Sequence, residues 1–439
     1  MSLVNPVIVI PGITASELRD EYVVSPETVW SAVMNKSYDR LTLHPENLRY
    51  ELIEPARISP DSVFRLVYRH LIEELRYNLT SKSEEPVPVY PFPYDWRQPL
   101  DLVERQLERF VDEVIARTSL MRHYHRAGYP DQPRVNLVGH SMGGLIIAGY
   151  LERQGASAPV DKVATLGTPF RGSFEAPLKI ITGTASLGGD EESGSREREA
   201  ARLTPSLYHL LPSFSDAIET THSDIPDDLY QVDAWQSGVL ETLAEFIRIH
   251  GLRGRSNQTE RRKWARELLE EMLAIAGAHR QRIESFRLEQ AKMSPEQWLC
   301  MIGVDARTRI RLKVEKSDRH PVFNLTGQDR QNHWGDDDID AWMFSGDGTV
   351  PYRGAEPAFL ERHHLVCLRP DDFGYWEIRD RLLTRKTGFH GMLPNLNLAH
   401  RLIISHFSGQ PVRGTWARPA PGIEKNEWQS PIRNLEFKA

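Results

Sequence analysis

The sequence predicts an α/β fold, a mostly parallel sheet flanked by helices, interrupted by an inserted and mainly helical cap. Three observations predict it. Short aliphatic runs rich in β-branched residues recur along the chain, each stopped by Gly or Pro. Amphipathic helical stretches alternate with the early runs, as in a parallel sheet built from crossover units. The middle of the chain then loses its strands and reads as helix.

Residues 7–10 (VIVI) form the first such run, the pattern of a strand buried on both faces, and Pro11-Gly12 ends it. Helical periodicity follows over 63–76 and 102–116. A second run, Val135-Asn136-Leu137-Val138, leads through Gly139 into an apolar helical stretch at 145–151. A third, 163–166, stops at Gly167-Thr168-Pro169. From about 174 to 316 the patterns are mainly helical. Trp264, Leu268, Met272, Ile275, His279, Ile283 and Phe286 recur at intervals of three and four, one face of a long helix that reads as cap packing. The polar, glycine-rich stretch 188–199 reads as a mobile loop. The sheet is expected to resume at 321–326 and to continue at 364–368. The reading is thus a core of residues 1–173 and 322–439, a helical cap of 174–321, and a tail after Ser408 that wraps the surface.

Composition narrows the function. The chain has 439 residues, 40% hydrophobic and 26% charged, with a formal net charge of −7. Charges of both signs are interspersed, so there is no basic footprint for nucleic acid and no polybasic stretch for an anionic membrane. No apolar run approaches the roughly 18 residues of a transmembrane span. Cys300 and Cys367 stand far apart without metal-ligand spacing, which suggests a reducing compartment and no disulfide framework. Met1–Asn5 shows no signal-peptide pattern. The expectation is a cytoplasmic protein, with leaderless export also compatible.

Gly139-His140-Ser141-Met142-Gly143 fits G-x-S-x-G, the nucleophile elbow of the α/β-hydrolase fold. The serine must sit on a strained turn between strand and helix, and small residues two positions to either side let those elements approach. A glycine-flanked serine in an ordinary βα turn could carry the same five letters. Here a β-branched run precedes the motif and an apolar helix follows, so Ser141 is read as the nucleophile.

In that fold the acid and the base follow the serine along the chain, on loops after later strands. Asp347 lies between glycines in Ser345-Gly346-Asp347-Gly348-Thr349, a tight turn able to present a carboxylate; a plain turn aspartate is the structural alternative. Asp336, Asp337, Asp338 and Asp340 form an acidic run that reads as a solvated loop, a calcium site being the outside reading. His390 falls between the strand at 364–368 and an apolar helix at 396–407, where the base should emerge. His400 and His406 lie inside that helix and read as surface or packing residues. His363 and His364 stand at the wrong end of a strand. Two backbone N–H groups are needed for an oxyanion: Met142, next to the nucleophile, and Ile13, after Gly12. This machinery requires neither metal nor cofactor.

Together these segments resemble the lecithin:cholesterol acyltransferase and lysosomal phospholipase family of α/β-hydrolases. Residues 9–18 (VIPGITASEL) look like its first strand and oxyanion loop, and Pro93-Tyr94-Asp95-Trp96-Arg97 like its PYDWR segment. Gly139–Gly143 look like its elbow, Gly167-Thr168-Pro169 like a strand end, and Gly346–Val350 like its acid loop; His390 falls where its histidine lies. The likeness covers roughly residues 5–173 and 320–407. Asp95 and Arg97 are read as a structural pair. The cap does not resemble that of the secreted members, which carry a disulfide-bonded lid and a signal peptide.

The resemblance and the residues imply serine-dependent hydrolysis of carboxylic esters, lipid or acyl, through an acyl-enzyme, with an acyl ester or lipid as partner and transient contact with a lipid interface. An O-acyltransferase would use the same triad with an alcohol acceptor. A catalytically inactive binding protein is the alternative from another class.

Overall fold

The computed structural model describes residues 3–22, 25–31, 38–44, 58–183, 195–251, 256–317, 320–325, 346–374, 377, 388–432 and 435–437. Its centre is a sheet of β1 (Val7–Ile10), β2 (Val89–Pro91), β3 (Val135–His140), β4 (Val160–Leu166), β5 (Trp298–Gly303) and β6 (Val366–Leu368). The strands lie in the order β6-β5-β4-β3-β1-β2, and every neighbouring pair is parallel. Parallel strands need crossover connections, which cover both faces with helices. That is why the strands read as mainly apolar runs rather than alternating ones.

The pleat divides these runs between two cores. Val7 and Val9 pack toward α1 (Arg65–Leu79) and the late helix α8 (Asn397–Ser408). Ile8 and Ile10 pack the other way, toward α2 (Leu100–Ser119) and α3 (Met142–Gln154). The tail runs along the β6 edge, where Cys367 N–H donates to the Arg418 carbonyl at 2.9 Å. Arg418 itself is buried in a two-point ion pair with Asp372, at 2.6 and 3.0 Å. An otherwise open sheet edge is thereby covered. Cys300 and Cys367 are free and buried on adjacent strands.

Residues 167–297 run between the neighbouring strands β4 and β5 and carry α4 (Glu175–Thr182), α5 (Ser195–Arg202), α6 (Ser237–His250) and α7 (Gln258–Ser285). Helix α7 opens with a capping box. The Asn257 side chain accepts from the Glu260 N–H, and Glu260 accepts in return from the Asn257 N–H. Leu268, Met272, Ile283 and Phe286 of the stripe are buried, as periodicity requires. His279 on that face is no hydrophobe. It meets Glu104 of α2 at 2.8 Å, while Arg282 bridges Glu104 and Glu152 of α3. This hydrogen-bonded cluster, centred on the buried Glu104, anchors the cap to the core.

Two expectations need correction. The sheet does not resume at Val322 but at Trp298–Gly303, inside the span assigned to the cap. That six-residue apolar run has no polar break and is buried throughout, the mark of a central parallel strand. Val322 belongs instead to a small separate sheet of Ile218–Thr220, Leu312–Ser317 and His320–Phe323, whose alternating exposure shows one solvated face. Of the stretch 188–199, expected to be a mobile loop, residues 195–199 are helical, within α5; 188–194 lie outside the described residues, as does the acidic run 336–340.

Candidate active site

Ser141 stands at the junction of β3 and α3 with φ 53° and ψ −127°. A side chain at positive φ is strained, so the surroundings must impose it. The Ser141 N–H donates to the Leu166 carbonyl of β4 at 2.9 Å, and its own carbonyl accepts from Gly144 N–H at 3.0 Å. The flanking glycines make the turn possible. A Cβ at Gly139 would lie 2.7 Å from Gly144 N, and one at Gly143 only 2.3 Å from the Ile10 carbonyl oxygen.

Asp347 is buried in the turn that follows Gly346. Its Oδ1 accepts from the Thr349 and Val350 N–H groups at 3.0 and 2.7 Å, which orients the carboxylate. Two glycines at strand ends leave room for it. A Cβ at Gly303, ending β5, would fall 2.4 Å from Asp347 Cβ; one at Gly167, just past β4, would fall 2.8 Å from Oδ2. His390 lies in the short helical stretch 388–392. Its Nδ1 is 2.6 Å from Asp347 Oδ2 and its Nε2 is 2.9 Å from Ser141 Oγ. The His390 N–H also donates to the Asp347 carbonyl at 2.9 Å. Since the carboxylate only accepts, Nδ1 carries the proton and Nε2 faces the serine as an acceptor. The three residues picked out from sequence are therefore linked through His390, although 249 positions separate Ser141 from His390.

Ile13 lines the cavity above Ser141. Met142 opens α3, so its N–H has no acceptor within the helix. The loop carrying Ile13 is braced at Thr14, which has φ 61° and whose carbonyl accepts from Trp30 Nε1 at 2.8 Å. Three other histidines weighed as bases lie elsewhere: His400 and His406 are buried against the Pro394 and Gln297 carbonyls, and His364 against that of Gln429. Asp95 and Arg97 pair at 2.8 Å in the core, away from the serine's hydrogen-bond partners.

The cavity over Ser141 and His390 has a volume of about 220 Å³. Ile13, Phe64, Leu66 and Val67 come to it from the core, Leu207 and Leu210 from the cap. Among the described residues, no group of three or more His, Cys, Asp or Glu side chains could hold a metal, and no helix is long and apolar enough to cross a membrane.

Sequence reasoning passed over Tyr68 and His140. His140 Nδ1 lies 2.6 Å from Tyr68 Oη, and its Nε2 lies 3.0 Å from the His390 carbonyl. Burial, reinforced by neighbouring His390, holds its imidazole well below the ordinary histidine range. His140 was visible as the variable residue of the pentapeptide. Tyr68 had no signal beyond its place on the apolar face of a helix.

The fold agrees with a solved structure, the Tle4–Tli4 complex, which superposes with a TM-score of 0.60 over 93% of this chain and 98% of that one, at 14% identity. The phospholipase PlaB from Legionella pneumophila overlaps only partly, at 15% identity over 48% of this chain and 33% of its own, with a TM-score of 0.23. No curated protein matches the chain. The model of the family described as lecithin:cholesterol acyltransferase matches residues 65–357, a span that contains Ser141 and Asp347 and ends before His390. With its six-stranded parallel sheet, inserted cap and family match over well more than half its length, the chain has the α/β-hydrolase fold and belongs to the lecithin:cholesterol acyltransferase family, whose members act on lipid esters by hydrolysis or acyl transfer.

Proposed function

We propose that the protein is a serine hydrolase of lipid or acyl esters, with Ser141 as nucleophile, His390 as general base and acid, and Asp347 as the group that orients His390. One observation carries the reading. The buried line Ser141 Oγ, His390 Nε2, His390 Nδ1 and Asp347 Oδ2 closes with contacts of 2.9 and 2.6 Å, the geometry of nucleophile, base and orienter.

As Ser141 Oγ attacks the ester carbonyl, its proton passes to His390 Nε2, and Asp347 stabilises the imidazolium. The oxyanion is received by the Ile13 and Met142 N–H groups. Gly12 is not a candidate donor, because its N–H is engaged by the Tyr68 hydroxyl at 2.9 Å. Each such donor contributes about 2.7–4 kcal/mol in comparable enzymes. His390 then gives its proton to the leaving alkoxide. Water, deprotonated by the same histidine, attacks the acyl-enzyme and frees the acid. An alcohol in place of water would complete acyl transfer, the second reading that membership of the family supports.

The apolar cavity receives the acyl chain. The cavity, of about 220 Å³, holds the chain beside Ser141, and a chain too long for it continues past the partly exposed Leu66. A fluorophosphonate probe should label the wild-type protein, and Ser141→Ala should abolish labelling. Equal labelling of both proteins would remove Ser141 as nucleophile. Product analysis with and without added alcohol separates transfer from hydrolysis.

A further inference from the structure

We propose that Tyr68 and His140 are positioning residues, forming a hydrogen-bonded relay that holds the oxyanion loop, the nucleophile turn and the base loop at fixed spacing. The inference rests on the proposed roles of Ser141 and His390. It concerns what keeps those groups in register.

The relay runs through four groups. The Gly12 N–H donates to the Tyr68 hydroxyl oxygen at 2.9 Å. Tyr68 Oη lies 2.6 Å from His140 Nδ1, and His140 Nε2 lies 3.0 Å from the His390 carbonyl oxygen. The partners settle every proton. A carbonyl only accepts, so His140 Nε2 bears the hydrogen; a neutral imidazole then has Nδ1 as acceptor, and the tyrosine must donate to it. Tyr68 remains free to accept from Gly12. No donor or acceptor in the relay is left over.

Its ends are the elements that must act together. Gly12 precedes Ile13, the proposed oxyanion donor after β1. His140 is the last residue of β3 and precedes Ser141. His390 is the proposed base. Tyr68 comes from α1, a helix locked by the buried Leu71, Ile72 and Leu75, so the relay ties three loops to one rigid support. Tyr68 is fully buried, and burial pushes its phenol upward, keeping it a hydroxyl donor.

The relay also governs charge. The His140 and His390 rings lie with centroids 5.0 Å apart. During catalysis His390 becomes an imidazolium, and a second positive ring at that distance would oppose it. Donation from Tyr68 to Nδ1 and burial both keep His140 neutral. Its remaining N–H supports the His390 backbone instead.

Tyr68→Phe keeps the ring and its packing but removes the central hydroxyl. A packing role for Tyr68 predicts a wild-type enzyme. The relay predicts kcat reduced at least tenfold with KM changed less than threefold, and fluorophosphonate labelling slowed alongside. His140→Phe should lose a similar factor. The double variant should be no worse than the poorer single one, because both cuts break the same connection. His140→Gln, which can still donate to the His390 carbonyl, should recover part of the loss. Multiplicative losses in the double variant, or Tyr68→Phe with wild-type kcat, would overturn the relay even while Ser141→Ala remains unlabelled. Nitrogen-15 NMR of the wild-type protein provides a readout free of mutation: His140 should show Nε2 protonated and Nδ1 bare from pH 5 to 8. A doubly protonated ring or the opposite tautomer in that range would refute the proposal.

Discussion

Replacing Gly303 with alanine tests the role proposed for Asp347 without touching a functional group. Gly303 closes β5, and its Cα faces Asp347 so closely that an added Cβ would stand 2.4 Å from Asp347 Cβ, where ordinary contact begins at 3.4 Å. The missing distance is about 1 Å. The opposing atom belongs to a side chain pinned at both ends, by the Thr349 and Val350 N–H groups on Oδ1 and by His390 on Oδ2, so the turn itself must move. A shift of that size stretches the 2.6 Å contact with His390 to about 3.6 Å, outside hydrogen-bonding range. Misplacement by about 1 Å costs on the order of 10²-fold in rate, whereas abolishing the carboxylate's role in a comparable triad costs about 10⁴. Gly303→Ala should therefore lie between wild type and Asp347→Asn in kcat, with KM little changed. The assay is initial-rate hydrolysis of a soluble ester, accompanied by a thermal melt to establish that the variant is folded. A folded Gly303→Ala enzyme within threefold of the wild-type kcat would refute the argument that Asp347 acts through its close fit behind His390.

Further outcomes follow from the cavity and from the cap anchor. Leu207→Trp should shorten the acyl site from the cap side, lowering rates on medium-chain esters at least tenfold while sparing acetyl esters; a chain-length series checks this, and a uniform loss at every length would count against the acyl pocket. Burial pushes the Glu104 carboxyl up to about 7, against the opposing pull of Arg282. The folded protein thus holds that proton more tightly than the unfolded chain does. The stabilisation is complete below about pH 4.5 and is lost as pH rises through about 7. Buried His279 and His209 are pushed the other way and oppose this slope in both proteins. The readout is consequently a comparison: wild-type stability should decline across that window relative to Glu104→Gln, by up to about 1.4 kcal/mol per pH unit. Parallel curves of melting temperature against pH would show that Glu104 does not titrate there.

Much of the frame was legible because parallel strands carry a simple signature. Residues 7–10, 135–138 and 163–166 are mainly aliphatic, stop at Gly or Pro, and each forms a central strand buried on both faces. Trp298–Gly303 bears the same signature yet reads as part of the cap, since a short apolar run resembles a buried helix segment when helices surround it. Val322 misled in the opposite way. Its β-branched neighbourhood signals a strand but says nothing about which sheet it joins. Ser141, Asp347 and His390 could be picked out because fold chemistry prescribes their order, and each follows a readable local pattern. Tyr68 and Gly303 could not, because their importance lies in contacts across 72 and 44 positions, His140 for one and Asp347 for the other. Periodicity places a residue on a face. It does not reveal which partner meets it there.

The detour of residues 167–297 between two adjacent strands has a thermodynamic consequence. Bringing the ends of so long a loop together costs about 4 kcal/mol in chain entropy, but that cost grows only logarithmically, so doubling the insertion would add merely about 0.6 kcal/mol. The β4–β5 junction is thus nearly indifferent to how much chain departs from it, provided the insertion folds and docks. Exchange of the whole segment is the inexpensive change in this architecture; exchange of a single glycine beside Asp347 is the costly one. Variation under selection is expected to collect in the segment that lines the cavity through Leu207 and Leu210, leaving the turn at Ser141 and its strand ends in place.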